Sequence, residues 1–464
     1  MPTATTKTNN TIMSDNNQGF SSSFGAIMAA VGSAVGLGNI WRFPYIMGKY
    51  GGGAFLLVYL VFVFMIGMVL MMTEFVIGRR SQHTPPKAFL HNRPDKKGWK
   101  YLGYLCVFTC LMIISQYVVI SGWTTHYIVD SAVGTLSSLQ AGDMAQHFNS
   151  FVAHPWLPVL FLLIFTIITA FIILGGVQKG IEAVSKILMP VLLVLVLVLC
   201  VRSITLPNAS IGLKYLFSPD FSKLSGEGIL AALGQALFSL SVGMGTMIVY
   251  GSYIPANDNI FKTSLMITAS DTLIAVLAGV AIFPAVFSFG QEPAGGPGLV
   301  FQVLPTVFNS MGNIGTVFAV MFFFLLALAA LTSAISLLET IVAWLCESSS
   351  LKRSSSTIVV TIAVLAIGAL CSMAYGPLKE FLILGDNLFD FVDKLNSIYL
   401  PPICAIGTVI FLGWQMKRDD IIDELSNHGT LKVGYFKYYY FLVRFVAPIA
   451  LLVVLFTGII NSLQ

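Results

Sequence analysis

Eleven apolar runs, each long enough to cross a bilayer, dominate this sequence. A membrane-spanning helix needs about 20 largely apolar residues. Runs of that kind lie near residues 24–48, 54–78, 102–129, 156–174, 181–201, 228–254, 260–289, 314–346, 356–375, 386–413 and 434–461. Only 10% of the 464 residues are charged, against about 25% in soluble domains. The lipid bilayer must therefore be the solvent, and we predict one all-α membrane domain over residues 1–464, with eleven spans numbered here in chain order.

Lysine and arginine are unevenly distributed among the connections between spans. They occur after spans two, eight and ten, whereas segment 130–155, on the opposite side, contains none. Connections rich in these residues stay in the cytoplasm, so we predict a multi-pass cell-membrane protein with a cytoplasmic N-terminus and an external C-terminus. We expect segment 290–313 to form short helices over the outer vestibule and segment 414–433 to lie along the inner surface.

The same composition argues against several classes of function. The net charge of +4 is small and spread over loops, so nucleic-acid binding has no support. The six cysteines form no metal-ligand or disulfide spacing. The histidines are scattered and lie mainly near loops, which argues against an enzyme active site within the membrane. No cleaved signal peptide and no oligomeric state are predicted from the sequence.

Two of the spans are interrupted by glycines in the same way. Span one contains Gly32, Gly36 and Gly38, followed by Asn39, and span six contains a similar cluster from Gly234 to Gly245. Each glycine disfavours helix by roughly 1 kcal/mol relative to alanine. Gly32 and Gly36 alone could be a helix-packing pair. Two matched clusters favour unwound backbone, which is tolerated at bilayer depth only around a cavity and is typical of transporter binding sites.

The residues of span one also carry a family resemblance. The run GSAVGLGNIWRFPY from Gly32 to Tyr45, followed by Gly51-Gly52-Gly53, resembles the neurotransmitter:sodium symporter family. Further matches are MMTEFVIGR in span two, Tyr117 before Ser121-Gly122-Trp123, the GQALFSLSVGMG break of span six and Leu331-Thr332-Ser333. Eleven spans resemble the bacterial amino acid transporter branch. The resemblance implies a LeuT-like 5+5 inverted repeat with discontinuous helices 1 and 6: repeat one over 23–202, repeat two over 226–414 and a peripheral helix over 434–461.

The resemblance implies two sodium sites built from oxygen ligands. The first uses Ala34, Asn39, Ser239 and Asp271, together with the carboxylate of the substrate. The second uses Gly32, Val35, Ala329, Thr332 and Ser333. The hydroxyls of Thr332 and Ser333 could instead bond to their own helix, as such residues commonly do.

Asp271 lies inside span seven, where an acid is costly and indicates function. Family members commonly have asparagine at this position, and chloride-dependent members add a serine one turn later, where this chain has Ala275. An aspartate would supply the negative charge that chloride provides elsewhere. We therefore predict that no chloride is needed, while the resemblance implies two sodium ions. Ser270 is the alternative ligand if the alignment shifts by one residue.

The substrate site implied by the resemblance surrounds both broken spans. Its members are Ala34, Gly36, Leu37, Gly38, Ile113, Tyr117, Phe238, Ser239, Ser241, Met244, Ser333 and Leu337. Tyr117 would bond the substrate carboxylate and Phe238 would cover it from outside. Monoamine carriers have an aspartate where this chain has Gly36, so an amino acid is favoured over an amine. The apolar pocket of Ile113, Phe238, Met244 and Leu337 favours a large hydrophobic or aromatic side chain.

The resemblance also implies gates at the two ends of the pathway. Arg42 would pair with Asp393 to close the outer gate, with Gln235 in the same network, although a snorkelling arginine is the alternative. Glu74 would accept hydrogen bonds from the broken backbone of spans one and six. Glu339 has no assigned role.

The inner gate departs from the family pattern. Members have an arginine and a tryptophan before span one, where this chain has Asn17 and Phe20, although the acid Glu347 is retained. Contacts from Asn17 or from the serines at 21–23 could replace the missing arginine.

Together these features predict a sodium-coupled amino acid symporter that works by alternating access. An amino acid-gated channel or a sensor on the same fold is the alternative, and uptake against a gradient separates them.

Overall fold

The computed structural model describes residues 19–291 and 298–463. Within these residues nine helices are long and apolar enough to cross a bilayer, and the two halves of span one form a tenth crossing that bends by 49°. The two halves of span six, Gly226–Ser239 and Thr246–Tyr253, complete the predicted eleven. The asparagine Asn17 lies outside the described residues.

The bounds of the spans are as follows, with π-helical turns included where they continue a helix. Spans one to five are Ser23–Ala34 with Gly38–Arg42 and Phe43–Lys49, then Gly53–Ser81, Lys97–Ala132, Leu157–Leu174 and Val177–Ile204. Spans seven to eleven are Ile260–Ser288, Asn313–Ser348, Arg353–Tyr375, Leu388–Gln415 and Phe436–Ser462.

Short elements cover the two ends of the bundle. At the end predicted to face outside are the helices Thr135–Ser138, Met144–Ala153, Ala209–Phe217, Leu299–Val303 and Leu304–Ser310, and the antiparallel strands Leu382–Ile383 and Asp386–Asn387. At the other end are Pro85–Asn92 and Arg418–Leu425. Segment 290–313 thus contains the predicted short helices, with Phe301 buried against Trp123 and stacked on Phe148, while residues 292–297 fall outside the described part.

The break in span six is built from left-handed backbone. Ser241, Gly243 and Gly245 have φ angles of 52°, 80° and 77°. These positive angles belong to the left-handed region, which residues other than glycine rarely adopt. A Cβ atom on Gly243 would lie 2.8 Å from the carbonyl oxygen of Pro401 in span ten. The glycines therefore permit both the turn and the close approach of a neighbouring span, and the unwound segment stays buried.

The break in span one is shorter. The first helix ends at Ala34, Val35 is extended with ψ of 105°, and a π-helical turn begins at Gly38. The break of span one contacts spans three, seven and eight, and that of span six contacts spans two, three and ten, so their backbone groups face protein rather than lipid. The predicted discontinuous helices are confirmed, and their unwound segments define where a site can form.

Candidate functional site

One group of polar side chains joins spans one, six and seven at the level of the breaks. The amide nitrogen of Asn39 donates to Asp271 Oδ1 at 2.7 Å and to Ser239 Oγ at 3.1 Å. Ser239 Oγ in turn donates to Asp271 Oδ2 at 2.7 Å. All three residues are buried. The structure therefore brings together three of the four residues predicted for the first sodium site.

Tyr59 of span two belongs to the same group. Its hydroxyl lies 3.4 Å from Ser239 Oγ and 3.5 Å from Asp271 Oδ2, and the residue is fully buried. This tyrosine was not predicted, because aromatic residues in membrane helices usually serve packing or lie at the interface. Its hydroxyl inside the otherwise apolar run from Phe55 to Phe62 was the available signal.

The donor set of this group suits a small hard cation. It contains a carboxylate and hydroxyl oxygens, which such ions prefer. Asn39 Oδ1 accepts from the Gly36 backbone N–H at 3.0 Å and so faces away from Asp271. The fit for sodium therefore rests on Asp271 and Ser239, with the Asn39 amide turning to present its oxygen.

A second group of oxygens lies between the break of span one and span eight. Thr332 Oγ1 lies 3.0 Å from the Ala329 carbonyl and 3.4 Å from that of Val35. Ser333 Oγ lies 3.3 Å from the Val35 carbonyl and 3.5 Å from that of Gly32. All five residues predicted for the second sodium site thus meet in one place. Thr332 also bonds its own helix, but Ser333 reaches across to span one, which back-bonding alone does not explain.

The predicted substrate residues line a small cavity between the two breaks. The cavity has a volume of about 20 Å³, room for about one water molecule. Ten of the twelve predicted residues line it, namely Ala34, Gly36, Gly38, Ile113, Tyr117, Phe238, Ser241, Met244, Ser333 and Leu337. Of the other two, Leu37 lines the adjacent outer cavity and Ser239 bonds Asp271. The arrangement is a closed site that must widen to admit a ligand.

Gly36 and Tyr117 shape the polar end of this cavity. A Cβ atom on Gly36 would lie 2.3 Å from Ser333 Oγ and 2.8 Å from the Tyr117 hydroxyl, so no side chain fits there without displacement. The Tyr117 oxygen accepts from the backbone N–H of Leu37 at 3.1 Å, which leaves its proton available to a carboxylate.

A larger cavity of about 340 Å³ lies above the small one and shares Gly38, Ile113, Tyr117 and Phe238 with it. Phe238 therefore lies at the boundary between the two. The outer cavity is also lined by Arg42 and Asp393. Among the described residues these two form no ion pair. The Arg42 guanidinium lies 4.6 Å from the Phe238 ring centre, and Asp393 accepts from Gln116 at 2.7 Å.

Two other predicted gate residues contact the broken backbone. Gln235 Nε2 donates to the Gly38 carbonyl at 2.9 Å, so it supports span one rather than Arg42. Glu74 Oε1 accepts from the Gly243 backbone N–H at 2.6 Å, and its Oε2 has no hydrogen-bond partner in the described part of the chain. Glu74 thus supports span six, and the expected bond to span one is not observed there.

Glu339, which had no assigned role, is the centre of a buried ion pair. The Arg353 guanidinium contacts it through two nitrogens, at 2.5 and 3.1 Å, and the Tyr253 hydroxyl donates at 2.9 Å. The side chain of Glu339 is 0% exposed. The pair ties span eight to span nine and to the inner end of span six.

Comparisons with known proteins agree with this architecture of two broken helices around a buried site. The family model described as the sodium:neurotransmitter symporter family matches residues 17–149 and 143–464. A sodium-dependent transporter of Bacillus subtilis, YhdH, is 38% identical over 96% of this chain and 98% of its own. A serotonin transporter of Drosophila melanogaster is 26% identical over 87% of this chain and 71% of its own.

A solved structure extends the comparison to the fold. The crystal structure of MhsT in complex with L-phenylalanine superposes with a TM-score of 0.88, at 41% identity, over 96% of this chain and 100% of that one. The fold and site define a multi-pass membrane transporter. The chain belongs to the sodium:neurotransmitter symporter family, and it is a sodium-dependent transporter rather than an enzyme.

Proposed function

We propose that this protein is a symporter that imports a large hydrophobic or aromatic amino acid together with two sodium ions, independently of chloride. The observation that carries the proposal is the small cavity between the two broken spans, with oxygen clusters on two sides of it. Membership of a sodium-dependent family supports the use of sodium.

The substrate class follows from the two ends of the cavity. At the polar end, the absence of a side chain on Gly36 lets its backbone lie against the Tyr117 hydroxyl, whose proton can be donated to a carboxylate. At the other end, Ile113, Met244 and Leu337 form an apolar wall. MhsT, which shares the fold, was crystallised with L-phenylalanine, and this supports a similar substrate here.

Sodium and substrate binding would be coupled through the first site. The substrate carboxylate would complete the ligands of the ion held by Asp271 and Ser239, so each would raise the affinity for the other by the same factor. Movement of Phe238 would join the two cavities and admit the substrate. Arg42 and Asp393, now apart, would pair once the outer cavity closes. Asp271 would supply the fixed negative charge that makes chloride unnecessary.

Uptake into proteoliposomes tests the proposal. We expect accumulation of labelled phenylalanine, tyrosine, tryptophan or leucine against a gradient when sodium is outside, and equal uptake when chloride is replaced by gluconate. A binding panel of amino acids with and without sodium would identify the substrate. Downhill flux alone would indicate a channel, and sodium-dependent binding without flux would indicate a sensor.

A further inference from the structure

The start of span one is attached to span five by hydrogen bonds to one carboxylate. The backbone N–H of Ser21 donates to Glu182 Oε2 at 2.7 Å, and its hydroxyl donates to Oε1 at 2.6 Å. The Ser22 hydroxyl lies 3.3 Å from Oε1. Glu182 is only 1% exposed. Three donors from two adjacent residues thus converge on a single buried acid.

The surrounding contacts fix the acid and the chain segment that it binds. Lys186, one helical turn along span five, lies 2.6 Å from Glu182 Oε1. A Cβ atom on Gly25 would lie 1.9 Å from the same oxygen, so a glycine is required for the carboxylate to come this close. Gln178 of span five also donates to the Gly19 carbonyl, at 2.8 Å.

The other side of the same segment is attached to span six. The Phe20 backbone N–H donates to the Tyr253 carbonyl at 3.0 Å, and the Phe20 ring packs edge-on against Tyr253. The inner end of span one therefore lies between spans five and six. If it moves away from span five, the bonds to Glu182 must break, while those to span six can persist.

Glu347, the acid retained from the family pattern, is occupied elsewhere. It accepts from His83 Nδ1 at 2.5 Å, from the Thr84 backbone N–H at 3.1 Å and from the Thr84 hydroxyl. These residues belong to the connection after span two. Within the described residues, no hydrogen bond joins Glu347 to the segment from Gly19 to Ala34.

We propose that Glu182 is a positioning residue that holds the inner pathway closed by binding Ser21 and Ser22, in place of an arginine–acid pair, and that Glu347 has no part in this gate. The inference rests on the proposed alternating-access function. For the pathway to open toward the cytoplasm, the start of span one must move away from Glu182. Hydrogen bonds to a charged group are among the stronger ones. The strength of this contact therefore sets the balance between inside-closed and inside-open forms.

Hydrogen exchange of the purified full-length protein in nanodiscs tests the proposal. Glu182→Gln keeps the size of the side chain but removes its charge. Without sodium we expect exchange across Ser23–Ala34 to become about tenfold faster than in the wild type, which is the effect of losing charge-assisted hydrogen bonds. Saturating sodium should restore protection, because a ligand of the inside-closed form shifts the population back to it.

Two comparisons decide between a gate and a merely structural cap. Ser21→Ala should accelerate exchange in the same peptide less, and should add less in the Glu182→Gln background than in the wild type, because the neutral amide already binds the serine hydroxyl more weakly. Ser21 is preferred to Ser22, whose hydroxyl also caps the helix by accepting from Gly25. If sodium protects the wild type but leaves exchange fast in the Glu182→Gln variant, the gating role is wrong.

Glu347→Gln is the matched control. It should leave exchange across Ser23–Ala34 unchanged and accelerate exchange across Pro85–Asn92. If it instead accelerates span one while Glu182→Gln does not, the proposal is wrong. The ratio of the exchange rates of the Glu182→Gln variant and the wild type, both without sodium, tests the contact itself. An absence of any effect of sodium on exchange in the wild type would count against the proposed function.

Discussion

At the scale of single residues, two positions bear most directly on the proposed substrate and ion sites. Gly36 lies against Tyr117 and Ser333, and Asp271 supplies the charge of the group that we propose as the first sodium site. Neither residue can be replaced by a similar one without consequence, because no free volume surrounds Gly36 and Asp271 is an acid buried within the membrane.

Gly36→Ala should weaken substrate binding. The added methyl group would lie 2.3 Å from Ser333 Oγ and 2.8 Å from the Tyr117 hydroxyl, so the polar end of the site must shift. Overpacking of this kind costs about 1–3 kcal/mol, or about fivefold to 150-fold in affinity, measured by sodium-dependent binding of labelled substrate. Gly234→Ala, where a methyl group meets nothing within 4 Å, is the control. Equal affinities for both variants would contradict the assignment.

Asp271→Asn should make transport depend on chloride or abolish it. The substitution removes the negative charge that we propose balances the first sodium ion, and it keeps an oxygen ligand in place. Uptake in chloride and in gluconate buffers measures the effect. Asp386→Asn, at an acid that pairs with Lys394 in the connection before span ten, should change neither. Unaltered chloride-free uptake by the Asp271 variant would refute the charge argument.

The sequence identified some of these residues and missed others for physical reasons. Asp271 and Asn39 stand out because polar groups in apolar runs are costly, and the structure brings them into contact. Glu182 could not be assigned, because its partners Ser21 and Ser22 are about 160 residues away and only the fold brings them together. The missing arginine indicated a change at the inner gate and directed attention to Asn17 and the serines at 21–23, but not to the acid that Ser21 and Ser22 contact.

At the scale of secondary-structure elements, glycine clusters located the two breaks but not their form. The break of span six needs three left-handed residues, and one of them, Ser241, is not glycine. Its hydroxyl donates to the Ser33 carbonyl at 2.8 Å, a contact with span one that offsets the unfavourable backbone. The π-helical turn from Gly38 to Arg42 likewise depends on tertiary packing, which a local pattern does not contain.

The ion pair between spans eight and nine gives a stability prediction. Glu339→Gln leaves Arg353 buried without its counter-charge, and breaking such a pair costs about 3–5 kcal/mol. The melting temperature of the variant in detergent should fall clearly below that of the wild type. Glu380→Gln removes half of an exposed pair with Lys379 and should leave the melting temperature unchanged. A Glu339 variant as stable as this control would show that the buried pair contributes little.

At the scale of the whole molecule, the membrane-spanning architecture was predictable because bilayer thickness fixes helix length. The eleven spans, the two breaks and the family were all indicated by the sequence and are confirmed. The inverted repeat over 23–202 and 226–414 stays a prediction.

The orientation in the membrane is a further prediction for the whole chain. The distribution of lysine and arginine places the N-terminus in the cytoplasm and the C-terminus outside. A C-terminal alkaline phosphatase fusion should be active, and a C-terminal green fluorescent protein fusion should be dark. The same reporters after residue 430, in the connection between spans ten and eleven, should give the opposite result. A fluorescent full-length fusion would reverse the assignment.

The outer cavity of about 340 Å³ has a pharmacological consequence. It is many times larger than the chamber below Phe238, and its walls include a cation, two acids and several aromatic rings. A bulky compound with an amino acid head and a long aromatic tail could seat its head below and leave its tail above. Arg42 and Asp393 could then not form their ion pair, and the compound would block the transport cycle.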